Sequence, residues 1–224
     1  MPKRSKISMS VIRRLPRYYR FLNQLDQDGV TRISSTELSA RLGLTASQIR
    51  QDLNCFGGFG QQGYGYMVHQ LAGEIGHILG VEHRYRTVIF GAGNIGHAIA
   101  AQMDFGELGF QLIGIFDNDP QKIGTVLHGI EVMDLVWFQD FYKKYVPEMA
   151  ALCIPRSAIE ETVSFLYGLG IRNYWNFSHY DISMKYPDAV VENVHLNDSL
   201  LTLCYEISHH DKAKKPVALL KHEK

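Results

Sequence analysis

The sequence has few cysteines, no long apolar run and no net charge, and each of these absences excludes a class of protein. The three cysteines among 224 residues, Cys55, Cys153 and Cys204, are widely separated and form no C-x-x-C pair, so neither a disulfide framework nor a zinc site is predicted. No apolar run approaches the roughly 18 residues of a membrane span, and the basic N-terminus lacks a secretory signal, so a cytoplasmic location is expected.

A formal net charge of zero argues by itself against a nucleic-acid partner, yet the charge is unevenly distributed. The first twenty residues contain no acid and seven basic residues: Lys3, Arg4, Lys6, Arg13, Arg14, Arg17 and Arg20. Such a segment is either a solvated arm or a surface that binds phosphates. The motifs that follow decide between the two.

Residues 17–56 have the spacing of a helix-turn-helix. An apolar stripe predicts a first helix over residues 11–25, in which Pro16 either lies in the first turn or kinks the helix; the stripe comprises Ile12, Leu15, Tyr19, Leu22 and Leu25. Hydroxyl residues at 34–36 cap a second helix that Gly43 ends, and Thr45 caps a third, residues 46–56. This third helix is the candidate recognition helix of a DNA-binding domain, and its outward positions are Gln48, Arg50, Gln51 and Asn54.

A segment rich in glycine and aromatic residues, about 57–66, follows the third helix. Its five glycines predict a β-hairpin tip that acts as a wing beside the recognition helix, although a hairpin without a partner is the alternative. A helix over 68–79 and a linker near 80–84 complete this domain, so we place its boundary after residue 82.

Residues 83–195 begin with a dinucleotide-binding fingerprint. An apolar strand leads into Gly91-Ala92-Gly93-Asn94-Ile95-Gly96 and a helix, and a second strand ends at Asp117. In this context the loop and the helix N-terminus are expected to bind the pyrophosphate of NAD(H), and Asp117 the adenosine ribose. A carboxylate there repels a 2′-phosphate, which favours NAD(H) over NADP(H). The alternative is a tight structural turn without a ligand.

Further strands at 129–133, 149–154 and 172–177 alternate with helices and predict an α/β fold with a doubly wound parallel sheet. About forty residues follow the last of these strands, too few for the substrate domain of a dehydrogenase, and His179 lacks a carboxylate partner. We therefore predict no catalytic site, no metal site and no enzyme. A final helix at 196–208 either covers its own domain or packs on a partner chain, and residues 209–224 are expected to be disordered.

A winged helix-turn-helix followed by one dinucleotide domain resembles the Rex family of redox-sensing repressors over about residues 8–207. The phrases that carry the resemblance are Arg13-Arg-Leu-Pro-Arg-Tyr-Tyr-Arg20, Ser34-Ser-Thr-Glu-Leu38, Gln48-Ile-Arg-Gln-Asp-Leu53, Phe56-Gly-Gly-Phe-Gly60, the fingerprint, Pro155-Arg156, Asn176-Phe177 and Glu192-Asn-Val194. The resemblance implies a homodimer with exchanged C-terminal helices that binds a palindromic operator and is released by NADH.

The resemblance also assigns site residues. Pro155 lies in the loop after the strand that ends at Ile154, and loops at strand C-termini bind ligands in such sheets, so it is a further cofactor-binding candidate. The resemblance implies that the DNA contacts are Arg13, Arg14, Arg17, Ser35, Gln48, Arg50, Gln51, Asn54, Gln62 and Gly63. The chain departs from the family at several of these positions. In the recognition helix it has Gln51 where the family has a second basic residue, and Asn54 and Cys55 where the family has a serine and a tyrosine. At the wing tip it has Gln61-Gln62 where the family has a basic pair. Fewer phosphate contacts imply weaker binding with a flatter salt dependence.

Two departures concern the conformational switch by which NADH would release DNA. The resemblance implies that an aspartate pairs alternately with Arg20 and with a tyrosine. This chain has His195 at the position of the aspartate and Gln102 at the position of the tyrosine. The coupling of NADH to DNA release is therefore expected to be weaker. The alternatives are a regulator that has lost NADH sensing or that binds another nucleotide such as coenzyme A, and a small NAD-dependent oxidoreductase whose N-terminal helices only dimerise.

Overall fold

The structure is a computed structural model that describes residues 7–57, 59 and 64–214, with side chains to His209. The chain forms two compact units. The first ends at Arg84 and also includes Glu107–Gly109, and the second comprises Tyr85–Gly106 and the chain from Phe110 onwards.

The first unit is mainly helical. Its elements are α1 (Met9–Ile12), α2 (Leu15–Gln27), β1 (Arg32–Ile33), α3 (Ser35–Leu42), α4 (Ala46–Asn54), β2 (Tyr66–Met67) and α5 (Val68–Leu79). Pro16 lies in the first turn of α2, after the short separate helix α1, which decides between the two roles that the sequence left open. The predicted inward position Tyr19 is half-buried and packs against the core of this unit, and α2 also buries Tyr18, which the sequence pattern did not include.

Local capping positions α3 and α4. The Ser34 hydroxyl accepts a hydrogen bond from the Glu37 N–H, and the Glu37 carboxylate accepts one from the Ser34 N–H. Gly43 ends α3 in the left-handed region, at φ 61°, and the Thr45 hydroxyl caps α4 by accepting from the Gln48 N–H. These are the residues from which the sequence predicted the two helices and the turn between them.

The glycine-rich segment is described only in part, since Gln61, Gln62 and Gly63 lie outside the described residues. The strand that follows it, β2, pairs antiparallel with β1, with Ile33 opposite Tyr66. This pairing joins the end of the predicted wing to the chain that precedes α3. The hairpin tip itself stays a prediction.

The second unit is built on a seven-stranded sheet. Its strands are β3 (Tyr85–Phe90), β4 (Phe110–Asp117), β5 (Val126–Leu127), β6 (Ile130–Asp134), β7 (Met149–Leu152), β8 (Asn173–Asn176) and β9 (Val190–Asn193). Its helices are α6 (Asn94–Gln102), α7 (Phe138–Tyr145), α8 (Arg156–Leu169), α9 (Ile182–Lys185) and α10 (Leu196–Lys214), with a 3₁₀ turn at Leu135–Trp137.

The strand order is β5-β6-β4-β3-β7-β8-β9, with β5 alone antiparallel at one edge. If β5 is left out and the six parallel strands are renumbered from 1 in chain order, beginning with β3, their order across the sheet is 3-2-1-4-5-6. This is the doubly wound order, which confirms the predicted fold class. Strand β9 was not predicted, because it is a four-residue edge strand whose side chains are only partly buried. It pairs in parallel with β8 and brings residues 193–195 beside the end of that strand.

Helix α10 continues to Lys214, so the prediction of a disordered tail from residue 209 is wrong for residues 209–214. Every described side chain of α10 is exposed, including its large apolar ones, which are Leu196, Leu200, Leu201, Leu203, Tyr205 and Ile207. The alternative that this helix covers its own domain is therefore not what the structure has. Among helices built from the described residues, none has the length and apolar character needed to cross a bilayer.

Candidate nucleic-acid interface and nucleotide site

The exposed side of α4 carries three of the predicted DNA contacts, Arg50, Gln51 and Asn54. The Arg50 guanidinium donates a hydrogen bond of 2.9 Å to the hydroxyl of Ser35, which begins α3. Two predicted contacts that are fifteen residues apart in sequence are thus brought together. The arrangement places a fixed positive charge where α3 and α4 meet, beside amide side chains that can read base edges.

A buried carboxylate on the opposite side of α4 was missed by the sequence analysis. Asp52 is 1% exposed. Its Oδ2 accepts hydrogen bonds from Arg14 Nε at 2.6 Å and the Tyr18 hydroxyl at 2.7 Å. Its Oδ1 accepts from Arg14 Nη2 at 2.7 Å and Gln48 Nε2 at 2.9 Å. These four residues, the Asp52 cluster, tie the start of α2 to α4.

The Asp52 cluster is held by charge. Burial acts to raise the pKa of Asp52, but the hydrogen bonds from Arg14, Tyr18 and Gln48 outweigh burial and keep that pKa below its ordinary value. Burial, followed by the hydrogen bond to Asp52, raises the pKa of Tyr18. Asp52 is therefore an ionised acceptor that four neutral or cationic donors stabilise.

This cluster changes the roles of two predicted DNA contacts. Arg14 and Gln48 are half-buried and donate to Asp52, so both have a structural task within the first unit. Arg13 and Arg17 are exposed, as is Arg20. Gln62 and Gly63 lie outside the described residues. Of the arginines predicted to contact DNA, Arg13, Arg17 and Arg50 therefore have exposed side chains.

In the second unit the three glycines of the fingerprint have separable roles. Gly91 has φ +96°, and a Cβ there would lie 2.5 Å from the Cys153 carbonyl oxygen. A Cβ on Gly96 would overlap the Gly91 carbonyl oxygen. A Cβ on Gly93 would meet nothing within 4 Å, although this residue is the N-cap of α6. Gly91 and Gly96 are thus required by the fold, whereas Gly93 leaves space at a helix N-terminus.

Open space at a helix N-terminus is the kind of place where proteins bind a pyrophosphate. Asn94 and Ile95 are exposed in the first turn of α6, where backbone N–H groups have no partner within the helix. Such a terminus attracts negative charge, and Gly93 lets a ligand approach the backbone closely. The loop also lies at the carboxyl end of β3, the first strand of a 3-2-1-4-5-6 sheet.

Asp117, at the end of β4, is 8% exposed and already bonded to its surroundings. Its Oδ2 accepts from the Ala92 N–H at 2.7 Å and Lys122 Nζ at 3.3 Å, and its Oδ1 accepts from the Asp119 N–H at 2.9 Å. Burial acts to raise the pKa of Asp117, but these donors lower it on balance. An ionised carboxylate has about four acceptor positions, so one remains on Oδ1 for a ribose hydroxyl. Lys122 was not among the predicted site residues, although it lies only five residues after Asp117.

The carboxyl ends of β7, β8 and β9 form the other half of this edge. Pro155 is the N-cap of α8, and Asn176 donates to Asn193 Oδ1 at 2.7 Å. The rings of His179 and His195 stack with centroids 5.4 Å apart, and the buried His195 Nδ1 has no hydrogen-bond partner among the described residues. Of the predicted switch residues, His195 and the exposed Gln102 lie in the second unit and Arg20 in the first.

Two family models match the chain. The one described as "Putative DNA-binding protein N-terminus" matches residues 6–54, and the one described as "CoA binding domain" matches residues 82–180. The first covers the helix-turn-helix and the Asp52 cluster. The second covers the fingerprint and Asp117.

Similar proteins extend over nearly the whole chain. A redox-sensing transcriptional repressor Rex of Clostridium perfringens is 49% identical over 94% of this chain and 99% of its own length. One of Thermoanaerobacter pseudethanolicus is 50% identical over 96% of both chains. These relatives are named as repressors, not as enzymes.

Solved structures give the same result. A Rex-family repressor, RSP, in complex with beta-NAD+ and operator DNA aligns with a TM-score of 0.84 at 47% identity, covering 94% of this chain and 96% of that one. The same repressor with beta-NADH aligns with a TM-score of 0.84 at 44% identity, covering 94% and 98%. With this identity over almost its full length, the chain belongs to the Rex family of redox-sensing transcriptional repressors.

Proposed function

We propose that this protein is a transcriptional repressor that binds operator DNA through α4 and leaves it when NADH binds the second unit. One observation carries the proposal: a single chain joins a helix-turn-helix, in which the exposed Arg50 donates to Ser35, to a doubly wound sheet beside which Gly93 leaves a helix N-terminus open. The relatives that resemble it in both units support this reading, since RSP is described with beta-NAD+ and operator DNA and with beta-NADH.

The residues that would hold NADH are those of the loop from Gly91 to Gly96, Asp117 for the adenosine ribose, and the segment around Pro155 for the opposite half of the dinucleotide. NADH would supply binding free energy that differs between two conformations of the protein, and no hydride transfer is required of it. The Ala92 N–H donates a hydrogen bond to Asp117, so this bond connects the loop to the end of β4. A ligand that displaced the loop would therefore also displace Asp117.

Coenzyme A is a second candidate ligand, because the model that matches residues 82–180 carries its name. The ribose of coenzyme A bears a 3′-phosphate, whereas that of NADH bears two free hydroxyls. Asp117 accepts three hydrogen bonds and has its pKa lowered, so it is an anion at the place where the ribose would lie. Like charges repel, and the site therefore favours NADH over coenzyme A.

The active form would be a homodimer in the cytoplasm. Helix α10 exposes six large apolar side chains on an otherwise polar segment, and an apolar face of this kind is normally covered by a partner. A palindromic operator also requires two recognition helices related by a twofold axis. We propose that α10 supplies part of the dimer contact, as the family resemblance implies.

The strength of the NADH response is where this chain is expected to differ. The position of the family's aspartate is occupied by His195, whose buried Nδ1 has no hydrogen-bond partner within the described part of the chain and whose ring stacks on His179. An imidazole cannot offer Arg20 the two acceptor oxygens of a carboxylate. Replacing His195 with Asp and Gln102 with Tyr together should increase NADH-dependent release.

The test begins with DNA selected by the protein from a randomised duplex library in the presence of NAD+. Fluorescence anisotropy then measures binding of a selected palindromic duplex without nucleotide and with saturating NAD+, NADH or coenzyme A. Release by NADH alone supports the proposal. Tight binding that is indifferent to every nucleotide would refute the sensing role, and the absence of any selected sequence would refute the DNA-binding role.

A further inference from the structure

The corner of the nucleotide site around Asp117 contains a cation that the fingerprint does not include. Lys122 Nζ lies 3.3 Å from Asp117 Oδ2 and 3.4 Å from Asp119 Oδ2. We propose that Lys122 is a specificity-determining residue. Its positive charge reduces the preference of this site for NADH over NADPH. The proposal rests on the proposed nucleotide-binding function and deepens it.

A 2′-phosphate on the adenosine ribose would lie close to two carboxylates. The carboxylate that would bind the ribose hydroxyls is Asp117, so a 2′-phosphate would lie within a few ångströms of it. Asp119 adds a second carboxylate, which is 38% exposed. Without a cation the phosphate would therefore face two negative charges.

Lys122 changes that balance. Its side chain is 38% exposed, and its ammonium contacts both carboxylates, so the three side chains carry one net negative charge instead of two. NADH has no charge on its ribose and is affected little by this difference. NADPH brings a dianion to the same corner, so Lys122 weakens the repulsion of NADPH selectively.

Lys122 is not needed to hold Asp117 in place. The Ala92 N–H and the Asp119 N–H bind the Asp117 carboxylate at 2.7 and 2.9 Å, and both are backbone donors that remain when Lys122 is changed. A variant at position 122 therefore separates the charge of this corner from its geometry. The exposure of Lys122 also means that its replacement leaves the core intact.

The experiment measures dissociation constants of NADH and NADPH for the full-length protein by titration calorimetry at low and at physiological salt. The test variants are Lys122→Met, Lys122→Arg and Asp119→Asn. The matched control is Lys143→Met, because Lys143 is also an exposed lysine that pairs with an aspartate three residues earlier, Asp140, but on α7.

Lys122→Met should weaken NADPH binding by about fivefold to tenfold and NADH binding by less than about twofold, since an exposed charge pair is worth up to about 1 kcal/mol and the phosphate is a dianion. Asp119→Asn should strengthen NADPH binding by about threefold, whereas Lys122→Arg and Lys143→Met should leave the ratio near that of the parent. Salt should reduce each of these differences.

An unchanged NADH-to-NADPH ratio in Lys122→Met, or a larger loss of NADH than of NADPH, would overturn the role of Lys122 while leaving the nucleotide site in place. A parent protein that binds neither nucleotide would overturn the proposed cofactor and this inference together. The two failures are therefore distinguished by the parent titration alone.

Discussion

Replacing Asp52 with Asn should destabilise the first unit, because it removes the charge on which the Asp52 cluster depends. Asp52 oxygens accept four hydrogen bonds, and an amide would turn one of the two acceptor atoms into a donor that faces donors. Breaking a fully buried ion pair costs about 3–5 kcal/mol. The Arg14 side chain is 28% exposed and can regain water, so we expect about 2–3 kcal/mol here.

The assay can attribute the loss to the right unit. Both tryptophans, Trp137 and Trp175, belong to the second unit, so tryptophan fluorescence reports on that unit, whereas far-ultraviolet circular dichroism reports on helices of both. In urea, Asp52→Asn should lower the midpoint of the dichroism transition more than that of the fluorescence transition. The control is Asp26→Asn, which breaks the exposed pair with His69 and should cost less than about 1 kcal/mol.

The pH dependence provides the refutation. The pKa of Asp52 is lowered in the folded protein, so its charge contributes stability above the unfolded pKa of about 3.9, and that stability is lost as the pH falls through the lower folded value. The difference between parent and Asp52→Asn should therefore be full at neutral pH and shrink in acid. Equal midpoints at pH 7, or a difference that grows in acid, would show that the buried charge does not stabilise this unit.

Three further predictions concern the proposed function. Gly96→Ala should destabilise the second unit by about 3 kcal/mol or more in urea, because its Cβ would overlap a backbone oxygen. Gly93→Ala should unfold like the parent but bind NADH at least about tenfold more weakly, and equal unfolding of the two variants would contradict the assigned roles. Arg50→Gln should weaken operator binding by about 1–3 kcal/mol in anisotropy, and unchanged affinity would remove α4 from the interface. Aspartates at both Leu200 and Leu203 should produce monomers in analytical ultracentrifugation, and a persistent dimer would exclude α10 as an essential contact.

Much of this fold follows from local chemistry that a sequence displays directly. Ser34 with Glu37, and Thr45 with the N–H of Gln48, form the caps expected of their spacing, because capping needs only residues three positions apart. The fingerprint glycines have the same character. A Cβ on Gly96 would overlap the Gly91 carbonyl oxygen within a single turn between strand and helix, so glycines at this spacing already imply the turn, whereas the contact of Gly91 with Cys153 on the neighbouring strand appears only in the fold.

The residues that were not predicted make contacts between positions far apart in the sequence, which hydrophobic periodicity does not indicate. The helical stripe includes Tyr19, which packs against the core, but not the buried Tyr18, whose hydroxyl donates to a carboxylate 34 residues later in the sequence. A single aspartate within an amphipathic helix is normally assigned to the solvent side. Only the approach of α2 to α4 reveals that Asp52 is buried and that Arg14 neutralises it.

That neutralisation also decides which charges remain for DNA. One of the two interpretations of the basic N-terminal segment was a phosphate-binding surface, but Arg14 donates through Nε and Nη2 to Asp52, and only its Nη1 has no hydrogen bond to a described residue. Arg13 and Arg17 flank it on the exposed side, and Arg50 is anchored by Ser35. The number of phosphates that a protein neutralises sets the salt dependence of its binding. A chain with Gln51 in its recognition helix, and with two Arg14 nitrogens bonded to an internal carboxylate, therefore has fewer charges free for phosphates than its basic N-terminal segment suggests, and its operator binding should depend less steeply on salt.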